Sequence, residues 1–263
     1  MYAFQYQNPA SSAAAAGAAK GDARYLAGGQ SLVQAMKLRL SQSATLVDLN
    51  GIADLKGITV VGGNVVIGAM ARHSEVARSA DVRKAIPALA ELAGGIGDQM
   101  VRNQGTIGGS IANADPAACY PAGLVALGAT VRTLQRTLAA DKFFTGLFET
   151  ALAPGELVTS VEFPVPEKAG YEKFKQPASR FALVGVFVAK FGGVVRVAVT
   201  GAKSSVFRAT DIEAALTQSF TPAAAAAVKV SPDGMNSDMH GSARYRAAMV
   251  SVMAGRAVAK ALG

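Results

Sequence analysis

The chain carries two glycine pairs set among polar residues: Leu26-Ala27-Gly28-Gly29-Gln30-Ser31-Leu32 and Thr106-Ile107-Gly108-Gly109-Ser110. No other feature constrains the fold as much. A glycine pair lets the backbone turn through positive φ, and lets another group approach where a Cβ would clash. Several N–H groups can then converge on one point, which suits a pyrophosphate. The second pair runs on into Ile111-Ala112-Asn113-Ala114-Asp115-Pro116, with more small polar side chains. Neither segment follows the glycine spacing of the Rossmann fingerprint or of the P-loop. The expectation is a dinucleotide held by a fold that is not Rossmann.

Two more pairs provide the contrast. Gly62-Gly63 sits between β-branched runs over residues 58–68, and Gly192-Gly193 does the same within 187–199. Both read as hairpin turns. The first two pairs differ in context. Gly28-Gly29 leads through Gln30 and Ser31 into an apolar-periodic stretch, and Gly108-Gly109 precedes Ser110, Asn113 and Asp115.

The surrounding pattern is mixed helix and strand. Residues 13–19 are alanine-rich and helical, 23–27 form a short strand, and 33–40 form a helix with Leu32, Met36 and Leu40 on one face. Ser31 is placed to cap that helix. Residues 45–49 give a second strand, so the first glycine pair lies inside a strand–helix–strand unit. Helices are expected over 73–83 and 86–92, a helix or an apolar stretch over 121–127, and a strand over 157–163. Phe143, Phe144 and Phe148 are core candidates. Pro164-Val165-Pro166 interrupts regular structure and marks the domain boundary. A strand over 171–176, the 187–199 hairpin and a helix near 211–216 follow. A loop over 230–241 then leads into a C-terminal helix capped by Ser242. Its apolar stripe is Tyr245, Met249, Val252, Met253, Ala257 and Leu262.

Composition narrows the chemistry. The 263 residues are 51% hydrophobic, enough for a substantial core. No apolar run reaches the length of about 18 residues that spans a bilayer. Residues 1–20 lack the basic and apolar regions of a signal peptide, so a cytoplasmic protein is expected. Cys119 is the single cysteine, and His73 and His240 are far apart. An iron–sulfur cluster usually needs four thiolates, and no metal-ligand spacing is present. Redox chemistry would therefore require an organic cofactor. The net charge of +8 comes from scattered Lys and Arg without a nucleic-acid-binding motif. An anionic cofactor and an acidic protein partner account for it as well.

Taken together, these segments resemble the FAD-binding medium subunit of the molybdenum hydroxylases, the family of aerobic carbon monoxide dehydrogenase and xanthine dehydrogenase. Residues 27–32 stand where the family has its first flavin loop, and Arg102-Asn103-Gln104-Gly105 with residues 106–116 where it has its second. Val66-Ile67-Gly68-Ala69, Tyr171-Glu172-Lys173-Phe174-Lys175 and Gly241-Ser242-Ala243 with Tyr245-Arg246 fit too.

The resemblance implies an α+β chain. A two-subdomain FAD-binding domain of the PCMH type would cover 1–166, dividing near residue 55. A smaller domain with a three-stranded antiparallel sheet and helices would cover 167–263. FAD would sit on this chain, with a molybdenum cofactor on a large partner subunit and two [2Fe–2S] clusters on a small one, assembled as a dimer of heterotrimers. By the same resemblance, Leu26, Ala27, Gly28, Gly29, Gln30, Ser31 and Leu32 form the first cofactor segment. Thr106, Ile107, Gly108, Gly109 and Ser110 form the second. Backbone N–H groups of Gly28–Ser31 and Gly108–Ser110 would cradle the pyrophosphate, assisted by the Ser31, Ser110 and Thr106 hydroxyls. Asn113 and Asp115 would contact ribityl or ribose hydroxyls, and Lys175 would lie near the flavin.

The chain departs from the family at two places. An acidic residue commonly follows the Asp-Pro pair by three or four positions; here the run is Ala117-Ala118-Cys119-Tyr120-Pro121. Cys119 is either a buried thiol or a neighbour of the cofactor. NAD-reducing members carry acids after the lysine-bearing strand, where this chain has Ser179-Arg180-Phe181-Ala182-Leu183. A quinone, a carrier protein or oxygen is therefore expected as acceptor in place of NAD. The alternative is a stand-alone FAD oxidase or reductase of the vanillyl-alcohol-oxidase-like superfamily. It would need its own catalytic acid, or a Cys or His for covalent attachment, and neither Cys119 nor His73 sits in such a motif. A cofactor-free structural subunit would have no use for the polar residues after the glycines.

Overall fold

In the computed structural model, which describes residues 1–263, the first fifty residues build a small parallel sheet. Strand Thr45–Asp48 is central, flanked by Gln5–Gln7 and Ala23–Leu26, both parallel to it. Helix Leu32–Lys37 makes the crossover that parallel neighbours require. It ends before the expected residue 40 because Arg39 turns left-handed at φ 58, which leaves Leu38 and Leu40 exposed. Strand Gln5–Gln7 has no apolar alternation to announce it, since all three residues are exposed.

A five-stranded antiparallel sheet follows, in the order Ile58–Val61, Asn64–Gly68, Val158–Pro164, Thr130–Thr133 and Thr137–Ala139. The helix expected over 73–83 is two helices, His73–Arg78 and Ala80–Ala85. Ser79 leaves helical space between them, and its hydroxyl caps the second by accepting the Val82 N–H. Helices Pro87–Gly94, Gln99–Gln104, Ile107–Asn113 and Tyr120–Leu127 come next. Every residue of the last is buried, which is why it reads as a continuous apolar run.

The third sheet is antiparallel: Lys168–Lys175, Ala182–Phe191, Val194–Thr200 and Phe207–Arg208. It has four strands where three are expected, and the fourth is only two residues long, too short to show a pattern. Helix Ala243–Leu262 covers this sheet, with Ser242 accepting the Tyr245 N–H at 3.2 Å as its cap. Its buried face is Arg246, Val250, Met253, Ala254, Ala257 and Val258, so Tyr245, Val252 and Leu262 of the expected stripe face outward. The rotation follows from Arg246. Its guanidinium donates to the carbonyls of Leu183 and Gly201 and pairs with Asp238, which permits burial that a count of apolar residues does not foresee.

Strand Ala182–Phe191 joins two cores. Phe187 and Ala189 enter the larger one, shared with the five-stranded sheet and the helices of residues 73–127. Val184, Val186 and Val188 point the other way, into the core under the C-terminal helix. The larger core therefore draws on both sides of residue 166. Phe143 lies within it, but Phe148 is exposed in a hairpin turn at φ 55. No helix is long and apolar enough to cross a membrane.

Candidate functional site

Strand Ala23–Leu26 delivers the chain to its carboxyl end, the end at which parallel sheets present ligand crevices. There Ala27–Ser31 turns before helix Leu32–Lys37 begins. Gly29 takes φ 68, and Gln30 Nε2 donates to the Gly28 carbonyl at 3.2 Å. Asn50, held by Asp48, donates to the Ala27 carbonyl and ties the turn to the sheet. The N–H groups of Gly28, Gly29, Gln30, Ser31 and Leu32 donate to no protein acceptor. Ser31 begins the helix without a side-chain cap, contrary to the sequence reading, so its hydroxyl is also uncommitted.

The second glycine segment packs against the first. A Cβ on Gly28 would stand 2.2 Å from the Gln104 carbonyl oxygen, so glycine is needed here for close backbone approach. The second segment is the start of helix Ile107–Asn113, not a loop. Its donors are already used: Gly108 N–H to the Ala69 carbonyl, Gly109 N–H to Thr106 Oγ1, and Ser110 N–H to the Thr106 carbonyl. This corrects the expected Gly108–Ser110 backbone cradle. Thr106 is the helix cap and is buried, so its oxygen serves the fold. The Ser110 hydroxyl and the Asn113 amide make no bond to the protein. Asp115 Oδ1 accepts the Ala117 N–H, a local turn that leaves Oδ2.

Both segments line one cavity of about 610 Å³. Ala27, Gly28, Gly29, Gln30, Ser31, Leu32, Thr106, Gly108, Gly109, Ser110, Asn113 and Asp115 all border it. Leu26 and Ile107 do not; Ile107 is in the large core instead. Lys175 also lies elsewhere, exposed in a separate cleft. The register of its strand against Ala182–Phe191 slips between Phe174 and Lys175. Both lysines border that cleft, but only Lys173 also reaches the large cavity.

Sequence reasoning passed over Lys173, whose ammonium donates to the Gly95 carbonyl at 2.8 Å and to Cys119 Sγ at 3.3 Å. Cys119 is both a buried thiol and part of the cavity wall. His73 borders the cavity too, its Nε2 lying where a Cβ on Gly105 would be 2.6 Å away. Burial, aided by the Arg102 charge, pushes its pKa down to about 4 and keeps it neutral. Nothing in the sequence pairs Gly105 with His73, 32 positions earlier.

The remaining walls are apolar and mixed: Met70, Ile96, Leu157 and Phe181 among them, with Arg24 and Arg180 at polar positions. Glu156 is there as well, but it is bound by Arg136, the Ala153 N–H and Thr133. Its carboxyl is held down to about 2, first by the Arg136 hydrogen bonds. Tyr25 closes one side by donating to the Gly155 carbonyl. The cavity wall thus combines free N–H donors and hydroxyls with apolar side chains. A dinucleotide with one planar apolar ring fits such a lining.

Comparison with known proteins agrees. Residues 2–166 match the family described as FAD binding domain in molybdopterin dehydrogenase. The chain is 36% identical to the carbon monoxide dehydrogenase medium chain of Hydrogenophaga pseudoflava, over 97% of this chain and 96% of the relative. It is 34% identical to the nicotine 6-hydroxylase medium subunit of Paenarthrobacter nicotinovorans, over 91% and 90%. Among solved structures, quinoline 2-oxidoreductase from Pseudomonas putida 86 superposes with a TM-score of 0.90 at 31% identity, covering 99% of this chain and 97% of that one. The chain, an oxidoreductase subunit, belongs to the FAD-binding medium subunits of the molybdenum hydroxylases.

Proposed function

We propose that the chain holds FAD in this cavity and carries electrons from the [2Fe–2S] clusters of a small partner subunit to an external acceptor. The single observation behind this reading is the run of N–H groups from Gly28 to Leu32 without protein acceptors. The free Ser110 hydroxyl and Asn113 amide border the same cavity. The N–H groups and the Ser31 and Ser110 hydroxyls would take the pyrophosphate. Asn113 and Asp115 Oδ2 would take sugar or ribityl hydroxyls. The apolar wall of Met70, Ile96, Leu157 and Phe181 would receive the ring and exclude water from it. Bound FAD supplies a carrier that accepts electrons singly or in pairs.

Substrate oxidation would belong to a large molybdenum-cofactor subunit. The named relatives are medium subunits, which supports a multi-subunit assembly, here a cytoplasmic dimer of heterotrimers. Ser179, Arg180 and Phe181, which border the cavity, carry no acid where NAD-reducing members have acidic residues, so a quinone, a carrier protein or oxygen is the proposed acceptor. The division of the chain at residue 166 is part of the same proposal.

The test is the visible spectrum of the purified chain after incubation with FAD, with the flavin released by acid and weighed by mass spectrometry. Noncovalent FAD is expected. Gly28→Ala drives the first segment off Gln104, and should weaken uptake at least tenfold while the circular dichroism stays native. Flavin retained after acid denaturation would favour the stand-alone oxidase. A natively folded chain that takes up no FAD, alone or with its partner subunits, would overturn the reading.

A further inference from the structure

Lys173 carries a buried charge that the cofactor cradle does not explain. It is 6% exposed, yet its only bonds are to the Gly95 carbonyl and the Cys119 thiol. No carboxylate lies within ion-pair distance of it. Of the acids bordering the two spaces that Lys173 touches, Glu91 and Glu172 are engaged by Lys260 and Glu156 by Arg136, while Asp115 lies beyond ion-pair distance. A buried ammonium is costly unless paired, and a thiol is only a weak acceptor.

Lys173 also stands in the wall between two spaces. One is the large cavity; the other is a cleft of about 520 Å³ bordered by Arg83, Lys175, Lys260, Glu91 and Glu172. Cations exceed acids around that cleft, so the field at Lys173 is not cancelled from behind. The geometry leaves the large cavity as the side from which compensating negative charge can come.

Resting on the FAD reading, we infer that Lys173 is a positioning residue that raises the reduction potential of the flavin. Cys119 sets how much of its charge the flavin feels. Two-electron reduction with uptake of one proton makes the flavin one unit more negative. An uncompensated ammonium in a low-dielectric wall favours that state over the oxidised one. In the enzyme the electrons come from the iron–sulfur partner; in the test they come from a chemical reductant. A carboxylate at position 119 would neutralise Lys173 and remove the bias, whereas the thiol leaves it in force.

The experiment is an equilibrium reduction of the FAD-loaded full chain against a reference dye. Lys173→Met should shift the oxidised-to-reduced equilibrium about tenfold toward oxidised, or about 30 mV for two electrons. Cys119→Asp should shift it in the same direction although the lysine remains. Cys119→Ser, which keeps the partner neutral, should shift it less than Cys119→Asp. A carboxylate at position 119 also lowers the potential by itself, so the Lys173 variants carry the decision: Lys173→Arg, which keeps the charge, should hold the potential, a result that a merely structural role would not tie to charge. If Lys173→Met fails to fold, Lys173→Gln replaces it in the same comparison. Bound FAD with an unchanged potential in Lys173→Met overturns the inference. Failure of the unsubstituted chain to take up FAD overturns the cofactor reading, and this inference with it, so the two failures are distinct.

Discussion

His73 shows how one residue links burial to pH. It packs its ring 5.4 Å from that of Tyr120, and burial, with the Arg102 charge, holds its pKa near 4 against an ordinary 6.5. Between those values the unfolded chain binds a proton that the folded chain refuses. Stability is therefore full above about pH 6.5 and falls as the pH drops toward 4. The largest possible loss is about 3 kcal/mol. Urea titrations at pH 7.5 and 5 should show it, and His73→Asn should flatten the difference. An equal slope in both proteins would remove His73 as its source. Glu156 acts lower, since its depressed pKa makes its contribution present above about 4.5 and lost toward 2. Glu156→Gln should therefore lower stability at pH 7 and leave it nearly unchanged at pH 2. At this scale the sequence was only partly legible. It marked Gly28 and Gly108 by context, but not that both serve close approach, Gly108 to Ala69 and Gly28 to Gln104. The choice between Lys173 and Lys175 was hidden because two lysines two residues apart on one strand carry the same pattern.

Among the elements, the C-terminal helix illustrates what patterning reads and what it misses. Ser242 announces the start of the helix, because a side-chain cap is local chemistry. The buried face is set by a distant strand. A Cβ on Gly170 would lie 1.9 Å from the Ala257 carbonyl oxygen, so helix and strand touch backbone to backbone there. Gly170→Ala must push the helix off the sheet, at a cost of about 1–3 kcal/mol. Differential scanning calorimetry should record a melting temperature several degrees lower. A variant as stable as the parent would show that the contact yields freely. The helix Ile107–Asn113 is hard to foresee for a related reason. Thr106 is a proper cap, but two glycines in the first turn look like a break in helix propensity. Their value lies in packing against Ala69 and Ala27, which only the tertiary fold shows.

At the scale of the whole molecule, Pro164-Val165-Pro166 separates the five-stranded sheet from the third sheet in sequence but not in packing. Tyr171, Phe187, Ala189 and Ala198 complete the core built by residues 65–163. Strand Ala182–Phe191 then passes the coupling on, because its other face supplies Val184, Val186 and Val188 to the helix-covered core. Lys260 adds a polar link between Glu91 and Glu172 across the same seam. A strand buried on both faces cannot leave one core without opening the other. The full chain should therefore unfold in one transition, with the calorimetric and van't Hoff enthalpies equal. A fragment ending at residue 166 should expose the face that Phe187 covers, and should bind a hydrophobic dye or aggregate. Two separate transitions, or a fragment with a native near-ultraviolet spectrum, would show that the proline pair marks a folding boundary as well as a boundary in sequence.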